Sequence, residues 1–312
     1  MEPLMAVAGP HQSGPVAEDS AGPAVPMDGQ VAVVTGGGRG FGRAIAQALA
    51  AAGCRVVVAA RTSEELDETV RAICADGGEA IAVTADVSDP ESVARLRART
   101  LEAFGPASIV VHAAGVLWPF GPIWEDPEAW WAAHAIHVRG AVLCMHEFVP
   151  DMIEAGGGRV IVISSSASQH VRPNHSGYHV PKSTQNQLVA HLAEEGRPHG
   201  VFTWAVHPGW VATGMASYAL NSSSALQYAP DVVDAFRARS NDEAIAEGLE
   251  RCGRFCTELA AGGGDAVSGR YLVATEDLAE QERRAREGST RRLLRRVARK
   301  SRRWARDRGV GR

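Results

Sequence analysis

The feature that most constrains this 312-residue chain is a glycine-rich turn, T-G-G-G-R-G-F-G from Thr35 to Gly42. It follows a short β-branched run at 31–35 and opens a segment of helical period at 43–52 that Gly53 stops. Without side chains in the way, the backbone N–H groups of such a turn can approach a pyrophosphate, and the following helix N-terminus adds partial positive charge. The strand before and the helix after are the context that gives the motif weight. The spacing of Gly36, Gly40 and Gly42 is G-x-x-x-G-x-G, which differs from the G-x-G-x-x-G form with its earlier glycine pair.

Further strands are predicted at 56–59, 80–84, 109–112, 160–164, 202–206 and 271–273. Helices are predicted at 63–75, 90–104, 127–155 and 177–195, and 214–261 is mostly helical and irregular. Short β-branched strands alternating with helices imply an α/β chain, a parallel sheet covered on both faces. Such sheets bind ligands beyond the carboxyl ends of their strands, where the winding reverses. Residues 1–27, rich in Pro, Gly and Ala, are expected to be a disordered leader, 28–280 the folded domain and 281–312 a basic tail. Residues 283–312 carry 14 basic and two acidic residues, a net of +12, whereas the remaining 282 carry a net of −16. That asymmetry fits either contact with an anionic partner or a solvated tail lying on its own acidic globule. Five scattered cysteines fit reduced thiols in a cytoplasm better than a disulfide framework, and no metal site is expected. No apolar run approaches the length of a membrane span.

At the end of the second strand, an NAD site would place a carboxylate on the ribose hydroxyls. This chain has Ala60–Arg61 instead, with Arg39 inside the glycine turn. Guanidinium groups in place of a carboxylate favour a 2′-phosphate, hence NADP(H). Asp86–Val87, after the third strand, is placed to meet an adenine edge or to serve a turn. A second cluster runs from Ile163 to Lys182. Tyr178 and Lys182 are spaced i, i+4, so one helix face carries both, and Ser165 precedes them at a strand end. An ammonium beside a phenol favours the phenolate, which suits proton transfer near neutral pH.

Together these motifs resemble the short-chain dehydrogenase/reductase family from about Gln30 to about Asp277. The resemblance implies a single Rossmann-like, doubly wound parallel sheet flanked by helices on both faces. It implies a Ser165–Tyr178–Lys182 triad. It also implies a cofactor site of Thr35, Gly36, Arg39, Gly40, Phe41, Gly42, Arg61, Asp86, Val87, Ala114, Gly115, Tyr178, Lys182, Pro208, Gly209, Val211 and Thr213. The chain departs from the family twice. H-A-A-G at His112–Gly115 replaces N-N-A-G, and His137 stands where an Asn commonly holds a relay water. His137 either holds that water or is simply packed. The implied chemistry is NADP(H)-dependent interconversion of a ketone and a secondary alcohol on a small-molecule substrate. The same scaffold retuned for dehydration, epimerisation or cyclisation, or a non-enzymatic scaffold acting through the tail, is the alternative. Leu117, Trp118, Phe120 and Trp124, with Met215, Tyr218, Leu220, Leu226 and Tyr228, are expected to make an apolar, aromatic substrate region. A homodimer or homotetramer is expected through the long helices at 127–155 and 177–195.

Overall fold

Seven β-branched runs pair side by side in a computed structural model that describes residues 27–238 and 241–287. They are β1 Val31–Thr35, β2 Arg55–Ala60, β3 Glu79–Thr84, β4 Ile109–His112, β5 Gly158–Ile163, β6 Val201–His207 and β7 Tyr271–Val273. All pairings are parallel, in the order β3-β2-β1-β4-β5-β6-β7. The winding reverses between β1 and β4, where Val33 sits opposite Val57 on one side and Val110 on the other. The predicted strands are all present, with ends shifted by a residue or two.

The helices are α1 Gly40–Ala51, α2 Ser63–Ala75, α3 Pro90–Phe104, α4 Pro127–His134, α5 Gly140–Glu154, α6 Ser176–Gly196, α7 Gly214–Asn221, α8 Ser223–Tyr228, α9 Pro230–Ala238 and α10 Asp242–Ala260. Strand alternation divides the core into two layers. Ala32, Val34, Val56 and Val58 face Ile45 and Leu49 of α1 and Phe255 and Leu259 of α10. Val31, Val33, Val57 and Val110 face Leu96 of α3, Phe148 and Met152 of α5 and Val189 of α6. A third, smaller cluster joins Leu117 and Phe120 to α7, α8 and α9 above the strand tips.

The single helix predicted over 127–155 is interrupted. A π turn, Ala135–Arg139, separates α4 from α5, and the Gly140 N–H donates to the Ala135 carbonyl five residues back. Such single turns displace the side chains around them, and this one carries His137. At the edges of the fold, Met27 is buried in the first core layer, and a helix at 278–287 packs Leu278 and Ala285 there too. Order thus reaches past residue 280, and Arg283, Arg284 and Arg286 pair with glutamates of that region. The leader up to residue 26 and the basic tail from residue 288 lie outside the described residues. Among the described residues no helix is long and apolar enough to cross a membrane.

Trp204 of β6 is fully buried and its indole N–H donates to the Gly264 carbonyl at 2.9 Å. Trp204→Phe removes volume and one of the two donors to that carbonyl, which also accepts from the Val267 N–H at 2.9 Å, so it should cost about 1–3 kcal/mol in chemical denaturation.

Candidate active site

A cleft of about 410 Å³ lies beyond the carboxyl ends of the central strands, and it gathers residues from nearly every predicted motif. At its floor is the glycine turn. Gly36 has φ +68°, and a Cβ there would lie 2.9 Å from the Ala113 carbonyl oxygen; at Gly42 it would collide with the Gly36 carbonyl. No side chain caps α1, and its first turn holds no acidic residue. Its leading N–H groups therefore suit an anion, and the turn fits a dinucleotide pyrophosphate.

The tip of β1 is tied to β4 by a bond that no sequence motif suggests. Thr35 Oγ1 lies 3.1 Å from His112 Nδ1, and the Ala114 N–H donates to Thr35 Oγ1 at 3.4 Å. His112 and Thr35 thus make a link that Ala113, lacking an amide, cannot. At one end of the cleft lie Arg39, Arg61, Asp86 and Val87. Asp86 accepts from both the N–H and the hydroxyl of Ser88, at 2.9 and 2.7 Å. The Ser88 hydroxyl chiefly, with the charge of Arg61 in support, holds its carboxyl below the usual range. Arg61 is exposed directly after β2. Arg39 is paired at 3.1 Å with Glu65 of α2, a carboxylate at the same end of the cleft that sequence reasoning missed. On the other side Pro208, Gly209, Val211 and Thr213 line the cleft, with Thr213 packed beside Gly40.

Ser165 follows β5 and its Oγ accepts from the Ala167 N–H at 3.2 Å. Tyr178 and Lys182 project from the first turns of α6, and all three line the cleft. Pro181 falls in the second turn of α6 and is buried. Lys182 Nζ donates to the Ile163 carbonyl at 2.6 Å and to Gln185 Oε1 at 3.1 Å, and lies 5.7 Å from the Tyr178 ring centroid. Burial lowers Lys182 to about 7. Burial also raises Tyr178, against a hydrogen bond from Ser165 that lowers it. Burial thus shifts both groups toward their neutral forms.

His137 is buried, and one of its imidazole nitrogens is engaged by Val116, whereas Nδ1 has no hydrogen-bond partner among the described residues. Its Nε2 lies 2.8 Å from the Val116 carbonyl and 3.2 Å from the Val116 nitrogen, while its own carbonyl accepts from Gln185 Nε2 at 2.7 Å. Of the expected substrate residues, Leu117, Trp118, Met215 and Tyr218 line the cleft. Phe120 lies behind them, its ring parallel to that of Tyr218 at 6.4 Å between centroids. Leu220 and Tyr228 pack on the third core cluster, whereas Trp124 and Leu226 are exposed and do not line the cleft. A wall of His170, Arg172, His175 and His179, together with Trp210 and His207, lines it instead. These residues sit inside recognisable motifs, but no periodicity marks them as cleft-facing.

Buried imidazoles make the fold acid-sensitive. Burial lowers His112 to about 3 and His207 to about 4. The unfolded chain takes up these protons near the ordinary value of about 6.5. Stability is therefore complete above that pH and is lost as pH falls toward 4 and below. His207→Asn should flatten the pH dependence of chemical denaturation between pH ~6.5 and ~4; an unchanged slope would sink this assignment.

A family model for short chain dehydrogenase matches residues 30–223. A short chain dehydrogenase of Pseudocercospora fijiensis is 34% identical over 203 residues, covering 64% of this chain and 65% of that protein, so the chain spans just under two thirds of that relative's length. The 3-oxoacyl-acyl-carrier-protein reductase of a Synechocystis strain is 36% identical over 205 residues, 65% of this chain and 83% of that one. A chloroplastic NADPH-dependent aldehyde reductase-like protein of Arabidopsis thaliana is 35% identical over 206 residues, 62% of this chain and 76% of that one. The matched segment runs from the first strand, through the glycine turn and the serine, tyrosine and lysine of the cleft, to just past Thr213, and the chain belongs to the short-chain dehydrogenase/reductase family of oxidoreductases.

Proposed function

We propose that the protein is an NADP(H)-dependent reductase that interconverts a ketone and a secondary alcohol on an apolar or aromatic metabolite. The observation that carries this is the meeting, in one cleft, of a glycine cradle and the Ser165, Tyr178 and Lys182 side chains from distant parts of the chain. The nicotinamide, when bound, supplies or accepts the hydride. Thr35, Gly36, Gly40, Phe41 and Gly42 would hold the pyrophosphate side, Val87, Ala114 and Gly115 the adenosine-facing floor, and Pro208, Gly209, Val211 and Thr213 the nicotinamide side.

Ser165 orients the carbonyl oxygen with its hydroxyl. Tyr178 hands that oxygen a proton. The Tyr178 phenol is protonated at neutral pH, as an ordinary phenol is, so it has a proton to give in the reductive direction. Lys182, held by the Ile163 carbonyl with Nζ 5.7 Å from the Tyr178 ring centroid, would in its charged form stabilise the phenolate that results. Positioning of these groups is the protein's share of the work.

The phosphorylated cofactor is favoured by Arg61 directly after β2, at the position where an NAD site would place a carboxylate. Arg39 adds a second guanidinium, for which a 2′-phosphate would compete with Glu65. Leu117, Trp118, Met215, Tyr218, Val232 and Phe236 give the substrate end its apolar character. Exposed Trp131, Val142 and Val180 on α4, α5 and α6 support a homodimer or homotetramer through those helices. The five free cysteines fit work in the cytoplasm.

Two measurements test the reading. Tyr178→Phe should lower kcat for NADPH-coupled ketone reduction, followed at the nicotinamide absorbance band, by about 10²–10⁴-fold while NADPH still binds. Equal turnover by the variant would remove Tyr178 from the chemistry. Arg61→Ala should raise KM for NADPH by about tenfold and leave that for NADH unchanged, as loss of one charge-assisted contact requires. Equal effects on both cofactors would end the case for phosphate selection.

A further inference from the structure

Gln185 lies one helical turn beyond Lys182 on α6 and is fully buried, an uncommon place for an amide side chain. Both ends of the amide are used. Its Oε1 accepts from Lys182 Nζ at 3.1 Å and its Nε2 donates to the His137 carbonyl at 2.7 Å. An ammonium only donates and a carbonyl only accepts, so the amide has one orientation that satisfies both neighbours. The other ammonium contact is the Ile163 carbonyl at the end of β5. Lys182 is therefore held between a strand end and, through Gln185, the π turn that interrupts the helix opposite. Among the described residues no carboxylate pairs with it. The titratable groups around it are Tyr178 on its own helix, His112 of β4 and His137 of the π turn, and burial keeps both imidazoles neutral.

We propose that Gln185 is a positioning residue for the reaction assigned above: its amide bridges the Lys182 ammonium to the His137 carbonyl, holds the charged amine in the cleft wall, and closes its rear to proton transfer. This rests on the role given to Lys182 under the proposed function. Three features support it. The amide carries no proton that titrates near neutral pH, so it can orient the amine but cannot pass a proton on. A polar side chain with both ends bonded and no exposed surface leaves no slack, which sets the height of Nζ beneath the Tyr178 ring. A hydrogen bond to the charged form also favours that form, partly offsetting the burial that depresses Lys182.

The chain contains two lysines, Lys182 and Lys300. Full-length protein labelled with 13C at lysine Cε therefore gives two resonances, and Lys300→Arg assigns them. In the wild type the Lys182 resonance should titrate well below an ordinary lysine. Gln185→Leu, which keeps the volume but removes the acceptor, should move the midpoint down by about one pH unit, the size of a lost hydrogen bond to a charge. Gln185→Glu, nearly isosteric, keeps an acceptor on the ammonium and adds a negative charge beside it, and should move it up. The limb of the kcat pH profile for NADPH-coupled reduction should move with the midpoint in each variant, with KM little changed. A Lys182 midpoint unmoved in Gln185→Glu, in protein as thermally stable as the wild type, overturns the proposal. The titration needs no substrate, so it decides the role of Gln185 even if no ketone is reduced, a result that would sink only the proposed function.

Discussion

Every functional contact in this protein depends on one geometric constraint: parallel strands place all their carboxyl ends on the same edge of the sheet. With β1 and β4 adjacent but wound outward in opposite directions, the connections leaving them diverge and open a crevice. The glycine turn leaves β1 into that crevice, the Ala113–Leu117 segment leaves β4, Ser165 follows β5 and the Pro208–Thr213 segment follows β6. The Thr35–His112 bond at 3.1 Å binds the two strand tips on either side of the reversal. The same hydroxyl accepts from Ala114, so one threonine aligns both walls of the dinucleotide cradle.

The second organising effect is desolvation. Tyr178, Lys182, His112, His137 and His207 are all shifted toward their neutral forms, and burial is the leading cause in each case. A site that holds its own groups uncharged costs less to bury. It also responds strongly to any charge that enters, because there is little water to screen it. Lys182 at about 7 sits near the balance point. Small differences in the acceptors around it, Ile163 and Gln185, then decide how much of it is charged.

Much of this is legible in the chain itself. The strand and helix pattern is readable because parallel strands are buried on both faces and therefore apolar throughout. The glycine turn is readable because only glycine tolerates the close approach seen between Gly36 and Ala113. The i, i+4 spacing of Tyr178 and Lys182 is enough to put both on one helix face. The direction of their proton affinities is not readable in this way, because a spacing argument sees the neighbouring charge and not the depth of burial. The stretch 127–155 reads as one continuous helix since a single glycine, Gly140, is tolerated within a helical pattern and does not announce the π turn it closes. The fate of His137 follows from that turn, which gives its imidazole to Val116 and its carbonyl to Gln185. Of the apolar residues expected around the substrate, Leu117, Trp118, Met215 and Tyr218 do reach the cleft. Trp124 and Leu226 do not, since hydrophobicity says that a side chain prefers cover but not which cover it finds.

By itself, then, the amino-acid order determined the kind of sheet, the place of the glycine turn and the shared helix face of Tyr178 and Lys182, because each depends on local periodicity or on a residue type suited to one backbone geometry. Tertiary structure alone decided which carboxylate pairs with Arg39, which bond steadies the tips of β1 and β4, how the buried amine and phenol titrate and which amide reaches the amine. These outcomes depend on distances between segments far apart in the chain and on the exclusion of water, and neither quantity is written in any local run of residues.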